Sequence, residues 1–393
     1  VLNHLCDIEE LSRLEPFGHA DPATVQGIVE EAGRFMASAI APLNHPADQQ
    51  GLTLADGVVT TPDGFKEAYG QYVAAGWGAV PFDPEYGGGG FPWVVGVALQ
   101  ELLSTASMAF SMGPLLTQGA IDMLQHHSSA EQKAIYLPKM LTGEWTGSMN
   151  LTEPQAGSDV GALITKAVPA GDGTHRITGQ KIFITFGEHD MAENIAHLVL
   201  ARIPGAPEGI KGISLFVVPK FLLEADGTPG KRNDVRCVSI EHKLGIHASP
   251  TCVMAYGDNG GAVGYLLGEA NRGLEYMFIM MNEARMGVGL QGVALGERAY
   301  QQALGYARER KQGRDAVTGE ALVTIDKHPD VRRMLMLMKS RVEACRAVTY
   351  FTAGLLDRAH AGTDPEQKKR DLFLAELLIP VVKGGGTEMA VEV

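Results

Sequence analysis

The sequence holds 393 residues, with 33 Lys and Arg against 46 Asp and Glu and a formal net charge of −13. So acidic a balance argues against nucleic acid as a main partner, while local basic clusters can still bind phosphate. Hydrophobic residues at 45% and charged residues at 20% describe an ordinary globular mix, and the length exceeds what one compact core serves, so two or three packed subdomains are expected.

Residues 1–145 read as an N-terminal helical domain. Apolar residues recur at helical spacing over 25–40, with Asp21 as N-cap and Pro22 in the first turn. The same spacing predicts helices over 65–76, 94–108 and 115–126, and the Gly- and Pro-rich tract 81–92 predicts a loop. Ser128-Ser129-Ala130-Glu131 resembles a capping box that opens one more short helix. Residues 146–268 switch to period two. Short strands over 147–151, 197–201, 212–218 and 251–255, separated by Gly, Pro and Asp, predict a middle β-domain with a long loop at 221–234. Helical spacing returns over 274–307, 329–360 and 365–382, giving a C-terminal helical domain over 269–393. The fold class expected is α+β.

Several local patterns point elsewhere and are set aside. Gly287-Val288-Gly289-Leu290-Gln291-Gly292 has the form GxGxxG, but a helix rather than a strand precedes it. Small residues for close helix contact are the better reading. His126 and His127 are adjacent, hence about 100° apart on a helix, and cannot share a metal in the i, i+4 manner. Gly87 to Gly90 lacks the Lys-Ser/Thr pair of a phosphate loop and reads as a turn. Cys6, Cys237, Cys252 and Cys345 are scattered without CxxC or Cys/His ligand spacing, the usage of reduced cytoplasmic thiols. No apolar run reaches membrane length, the start is not a secretory signal, and 377–382, broken by Pro380, reads as core. A cytoplasmic chain without an integral membrane segment is expected.

Two segments carry the chemistry. Met149-Asn150-Leu151-Thr152-Glu153-Pro154-Gln155-Ala156-Gly157-Ser158-Asp159 is a strand breaking into a polar turn with hydroxyls, small residues and open backbone N–H groups. Gly179-Gln180-Lys181-Ile182-Phe183-Ile184-Thr185 is a β-branched and aromatic strand ending in a threonine. In this order the pair resembles the flavin-binding signature of the acyl-CoA dehydrogenases, and the α, β, α order extends the resemblance over nearly the whole chain. The resemblance implies FAD as cofactor. It implies that Thr152 and Thr185 hydrogen-bond the flavin, that Met149 and Leu151 line its face, and that Phe183 and Ile184 flank the ring. Ser158, Asn282 and Arg285 would contact acyl-CoA. Arg310 and Gln312, with His328 following, match a segment that reaches the FAD pyrophosphate of a neighbouring subunit, which implies at least a homodimer. The family often has an aromatic at Met149, and at Gly313.

The reaction so implied takes an α-proton to a base and a β-hydrogen as hydride to flavin, giving a trans-2-enoyl-CoA, with electrons passed to an electron-transfer flavoprotein. One family branch carries its base directly before the arginine. Ala284 stands there, and Glu283, one step round the helix, is expected to point away. The main branch carries its glutamate on a loop near the last helices, and the run from Pro380 to Glu388 looks like the approach to it. The base is therefore expected beyond Val393 and the C-terminal bundle is expected to be incomplete. The loop at 221–234, Glu241 to Thr251 and Lys311-Gln312-Gly313-Arg314 resemble a bacterial branch of long-chain-type and 3-methylmercaptopropionyl-CoA dehydrogenases. An acyl-CoA oxidase or flavin monooxygenase, and a non-catalytic flavin or acyl-CoA scaffold, are the rival readings.

Overall fold

The computed structural model describes residues 1–393. In chain order its elements are α1 Ile8–Leu11, α2 Pro22–Phe35, α3 Asn44–Gln50, β1 Thr53–Ala55, β2 Val58–Thr60, α4 Phe65–Ala74, α5 Trp93–Ala106, α6 Met108–His127 and α7 Ala130–Thr142. Next come β3 Trp145–Asn150, β4 Lys166–Pro169, β5 His175–Thr185, β6 Asn194–Ala201, β7 Ser214–Pro219, β8 Phe221–Leu223, β9 Pro229–Arg232, β10 Val235–Ile240, β11 Thr251–Tyr256 and β12 Ala262–Leu267. Three long helices close the chain: α8 Gly273–Glu309, α9 Pro329–Ala361 and α10 Pro365–Glu392.

Two compact units are distinguished, one comprising Phe35–Gly90 and Ser107–Ala284, the other Val1–Arg34, Phe91–Ala106 and Arg285–Val393. The first holds every strand. Its main sheet has the order β10-β11-β5-β12-β7-β6-β3, with β4 added beside β5. Strand pairs in it are antiparallel except β3 with β6. All eight residues of β6 and all six of β7 are buried, as expected of strands covered on both faces. Ile177, Val199, Phe216, Met254 and Tyr256 form the core of the sheet. Helix α6 lies on β3 at Gly147, where a Cβ would stand 2.4 Å from that of Ala120, and Thr117 Oγ1 accepts the Gly147 N–H at 3.2 Å.

The second unit is helical. The Asp357 carboxylate on α9 accepts the N–H groups of Trp93 at 2.5 Å and Val94 at 2.9 Å, capping α5 from another helix. Arg346 joins Glu101 and Glu297, each at 2.8 Å. Helices α8 and α10 meet at glycines: a Cβ on Gly292 would lie 2.1 Å from the Gly386 carbonyl oxygen, and one on Gly289 would lie 2.4 Å from that of Val382. The GxGxxG run is therefore the helix-contact surface that its helical setting implied.

The structure departs from the sequence expectations in five places. The N-cap of α7 is Ser129, paired with Gln132, one residue on from the box read at Ser128 and Glu131. The helix over 25–40 ends as a π-turn at Met36–Ile40. Helix α6 starts at Met108, capped by Ser107, and carries Pro114 inside it. The loop at 221–234 contains the antiparallel hairpin β8–β9. Finally, α10 runs on through Pro380 and the Gly384–Gly386 run, with Leu377 exposed and Ile379 and Val382 buried. Tertiary packing of Val382 and Gly386 on α8 overrides the weak helix propensity of that stretch.

An alanine in a helix interior normally gains up to about 1 kcal/mol over glycine. At Gly292 the added methyl would meet backbone that cannot yield cheaply, so Gly292→Ala is expected to lose about 1–3 kcal/mol in urea unfolding. A neutral or stabilising result would show that α8 and α10 are not in this contact.

Candidate active site

Strand β3 delivers the chain to the turn at Thr152, and β5 runs beside it. The Ile182 N–H donates to the Thr152 carbonyl at 2.9 Å, and the turn closes through paired backbone bonds between Glu153 and Ala156 at 3.0 and 3.1 Å. The two signature segments, read separately in the sequence, are thus adjoining backbone. Leu151 and Ile184 are buried, while Met149, Thr152 and Thr185 are half-buried. The hydroxyls of Thr152 and Thr185 have no protein hydrogen-bond partner, so both donors are available to a ligand.

Phe183 stands out. Between Ile184 and Lys181 the register with β11 shifts, so that Ile182 and Phe183 together oppose Val253. Phe183 takes a left-handed φ of 59°, a conformation that costs a non-glycine residue about 1–3 kcal/mol. Such a bulge re-aims a side chain, and the Phe183 ring is 59% exposed. An exposed aromatic on strained backbone, beside two unspent hydroxyls and an apolar strand end, fits an isoalloxazine ring, which needs a flat apolar contact and hydrogen bonds at its polar edge.

Beneath the turn lies a fully buried ion pair. Lys181 Nζ donates to Glu153 Oε1 at 2.7 Å and to the Leu151 carbonyl at 3.0 Å. Glu153 also accepts the Thr165 N–H at 3.1 Å, the Thr165 hydroxyl at 2.6 Å, the Ile164 N–H at 2.7 Å and the Gln155 amide at 2.7 Å. Burial pulls the Lys181 ammonium down to about 8 against the opposing pull of Glu153, which leaves it charged at neutral pH. Burial pushes Glu153 up, but the Lys181 charge and the N–H and O–H donors outweigh it and hold the carboxylate below its usual range. Each signature thus supplies one half of a clamp on the other.

The remaining predicted residues fall into separate groups. Ser158 is exposed on the turn. Asn282 and Arg285 are half-buried on α8. In the helical unit, Arg310, Gln312 and His328 are brought together: an Arg310 guanidinium N–H donates to Gln312 Oε1 at 3.4 Å, and His328 Nε2 lies 2.7 Å from the Gln312 carbonyl. Arg310 and Gln312 are exposed and His328 half-buried. His126 lies in the last turn of α6. The Asp122 carboxylate hydrogen-bonds its ring and raises it to about 9.

Glu283, one step round α8 from Ala284, is buried: neither carboxyl oxygen has a hydrogen-bond partner, and a Cβ on Gly119 of α6 would stand 3.2 Å from Oε2. Burial, with the Asp122 charge adding to it, pushes this carboxyl well above its usual range. The glycine at position 119, which leaves room for the carboxyl, is the one sequence signal that marked the place.

Helical, β and helical domains in that order, with the turn-and-strand site in the middle one, define the class. Residues 23–144, 148–258 and 271–393 match the N-terminal, middle and C-terminal domains of acyl-CoA dehydrogenases, and the chain belongs to the acyl-CoA dehydrogenase family. It is 52% identical over 396 aligned residues to the 3-methylmercaptopropionyl-CoA dehydrogenase of Ruegeria pomeroyi, covering 100% of this chain and 66% of that protein. It is 41% identical to a butyryl-CoA dehydrogenase of Syntrophomonas wolfei, over 89% of this chain and 59% of that protein. The chain therefore spans about three-fifths to two-thirds of the length of these curated relatives. The butyryl-CoA dehydrogenase structure from Megasphaera elsdenii shares the fold, with a TM-score of 0.69 at 22% identity over 93% of both chains. No helix is long and apolar enough to cross a membrane.

Removing one partner of a buried ion pair strands the other, so Lys181→Met should cost about 3–5 kcal/mol in urea unfolding. The double variant Lys181→Met with Glu153→Leu should recover part of that loss, and strict additivity would show that the pair is not coupled. For Glu283 the folded value lies above the unfolded one. Its stabilising contribution is therefore complete below about pH 4.3 and declines as pH rises towards the folded value. Glu283→Gln should come nearest the wild type in melting temperature at or below about pH 4 and gain on it increasingly as pH rises towards 8. Parallel pH profiles would refute an acid held neutral at this position.

Proposed function

We propose that this chain forms the flavin- and substrate-binding part of an FAD-dependent acyl-CoA dehydrogenase converting an acyl-CoA to its trans-2-enoyl-CoA, with residues 1–145, 146–268 and 269–393 as its three domains. The observation that carries the reading is the clamped turn and strand, which presents two free threonine hydroxyls beside a strained, exposed aromatic. FAD, when bound, supplies the hydride acceptor. Thr152 and Thr185 donate to its polar edge. Met149, Leu151, Phe183 and Ile184 exclude water from the ring, and the Lys181–Glu153 pair keeps the turn in place. Arg310, Gln312 and His328 offer a cationic, hydrogen-bonding group suited to the pyrophosphate of FAD held by a second copy of the chain. Ser158, Asn282 and Arg285 are assigned to acyl-CoA. The base that takes the α-proton is not assigned to any of these residues.

The 3-methylmercaptopropionyl-CoA dehydrogenase of R. pomeroyi, at 52% identity, favours a short thioether acyl group as substrate. An electron-transfer flavoprotein as acceptor, a homodimer and a cytoplasmic location complete the proposal.

The test is anaerobic titration of the FAD-loaded full-length protein with 3-methylmercaptopropionyl-CoA and with straight-chain acyl-CoAs of graded length, followed by flavin absorbance. Bleaching is expected, and the acyl group that bleaches at the lowest concentration names the substrate. FAD bound but bleached by none of them would favour a binding scaffold. Fast reoxidation of the bleached protein by air would favour an oxidase.

A further inference from the structure

Strand β3 carries two rows of side chains. Met149 and Leu151 belong to one. The other is Thr146, Ser148 and Asn150, all buried. Buried strand faces are ordinarily apolar, yet every member of this row is polar and bonded. Thr146 Oγ1 lies 2.9 Å from His189 Nε2, and Ser148 Oγ lies 2.8 Å from His197 Nδ1. The Asn150 amide donates to Ser148 Oγ at 2.9 Å, and the Tyr256 hydroxyl donates to Asn150 Oδ1 at 2.8 Å.

The bonds run in one chain from Tyr256 through Asn150 and Ser148 to His197. Asn150 gives its N–H to Ser148, so its oxygen accepts from Tyr256. Ser148 Oγ also bonds His197 Nδ1, and whichever ring nitrogen carries the proton, His197 Nε2 has no partner. Burial holds the His197 ring neutral, at about 3. A buried ring nitrogen left unpaired costs free energy, so the row is retained against a local penalty.

Its location gives the reason. Strand β3 is an edge of the main sheet, and Tyr256 belongs to β11, near the opposite end of the strand order. The hydroxyl of Tyr256 therefore closes the curled sheet onto β3 immediately before the turn at Thr152. Apolar contacts tolerate sliding, whereas bonds of defined length and direction do not. A slip of one residue would exchange the two rows of β3.

We propose that Tyr256, Asn150 and Ser148 are positioning residues for the cofactor: through the bonded row they fix the register of β3 and so the place at which Met149, Leu151 and Thr152 meet the flavin. The inference rests on the FAD reading given above.

The experiment measures FAD affinity, the visible flavin spectrum and the flavin midpoint potential in the full-length protein. Tyr256→Phe is compared with Tyr350→Phe, whose hydroxyl donates to Glu101 at 2.7 Å, outside the row. Tyr256→Phe is expected to weaken FAD binding about tenfold, the scale of one buried hydrogen bond left unmade, and to shift the spectrum and potential. Tyr350→Phe should lower the melting temperature and leave the flavin unchanged. Ser148→Ala breaks the row at its other end and should act in the same direction as Tyr256→Phe. A folded Tyr256→Phe protein with wild-type affinity, spectrum and potential would overturn the proposal. So would failure of both row variants to fold, since the row would then serve folding alone. Wild-type protein that takes up no FAD would overturn the FAD reading itself, and this inference with it.

Discussion

A lysine and a glutamate with no access to water hold the candidate site together. Lys181 and Glu153 come from different segments, and each is costly to bury alone. Glu153 answers the cost with four further donors from Gln155, Ile164 and Thr165, and Lys181 answers it with the Leu151 carbonyl. The same bonds that satisfy the charges therefore fix the backbone on both sides of Thr152. The clamp also explains how the strained φ of Phe183 persists. The bulge lies directly after Lys181, whose side chain is anchored, and directly before Ile184, which is buried in the core. With both ends of the two-residue bulge held, Phe183 has little room to relax.

How much of this was legible in the sequence depends on the range of the interaction. The turn after Leu151 and the strand ending at Thr185 were readable because local chemistry specifies them: hydroxyls, small residues and β-branching. The helices over 274–307 and 329–360 were readable because their apolar period is long. The details that failed were set at a distance. Nothing near Pro380 or Gly384–Gly386 announces a continuous helix, because the stabilising contact is with Gly289 and Gly292, far away in the chain. The hairpin β8–β9 is short, and its strand patterning is weak. The capping box was displaced by one residue because Ser128 and Ser129 are equally good caps, and only the hydrogen bonds to Gln132 decide between them.

Within the candidate site, the residue types were legible and their mutual support was not. Thr152, Thr185 and Phe183 could be named from pattern. That Lys181 is the partner of Glu153 could not, since a lysine in a strand is ordinarily a solvated charge. Ser148 and Asn150 read as unremarkable polar residues in a short strand, because their role depends on Tyr256 and His197 lying opposite. The burial of Glu283 was not legible either, because it depends on α6 covering that face of α8 at Gly119, far away in the chain.

Strand β3 also bears on how the chain reaches this arrangement. It pairs in parallel with β6, and parallel neighbours cannot be joined by a tight hairpin, so the segment between them must be laid down before the pair can close. That segment includes β4 and β5 and hence Lys181. The long sequence separation makes this closure slow relative to the neighbouring hairpins. Until it occurs, β3 is an unpaired edge, the element most prone to wrong association. In the finished protein α6 covers it at Gly147. A nascent chain that stalls before β6 is added would therefore expose the strand leading into the turn at Thr152, which ties the assembly of the candidate site to escape from aggregation.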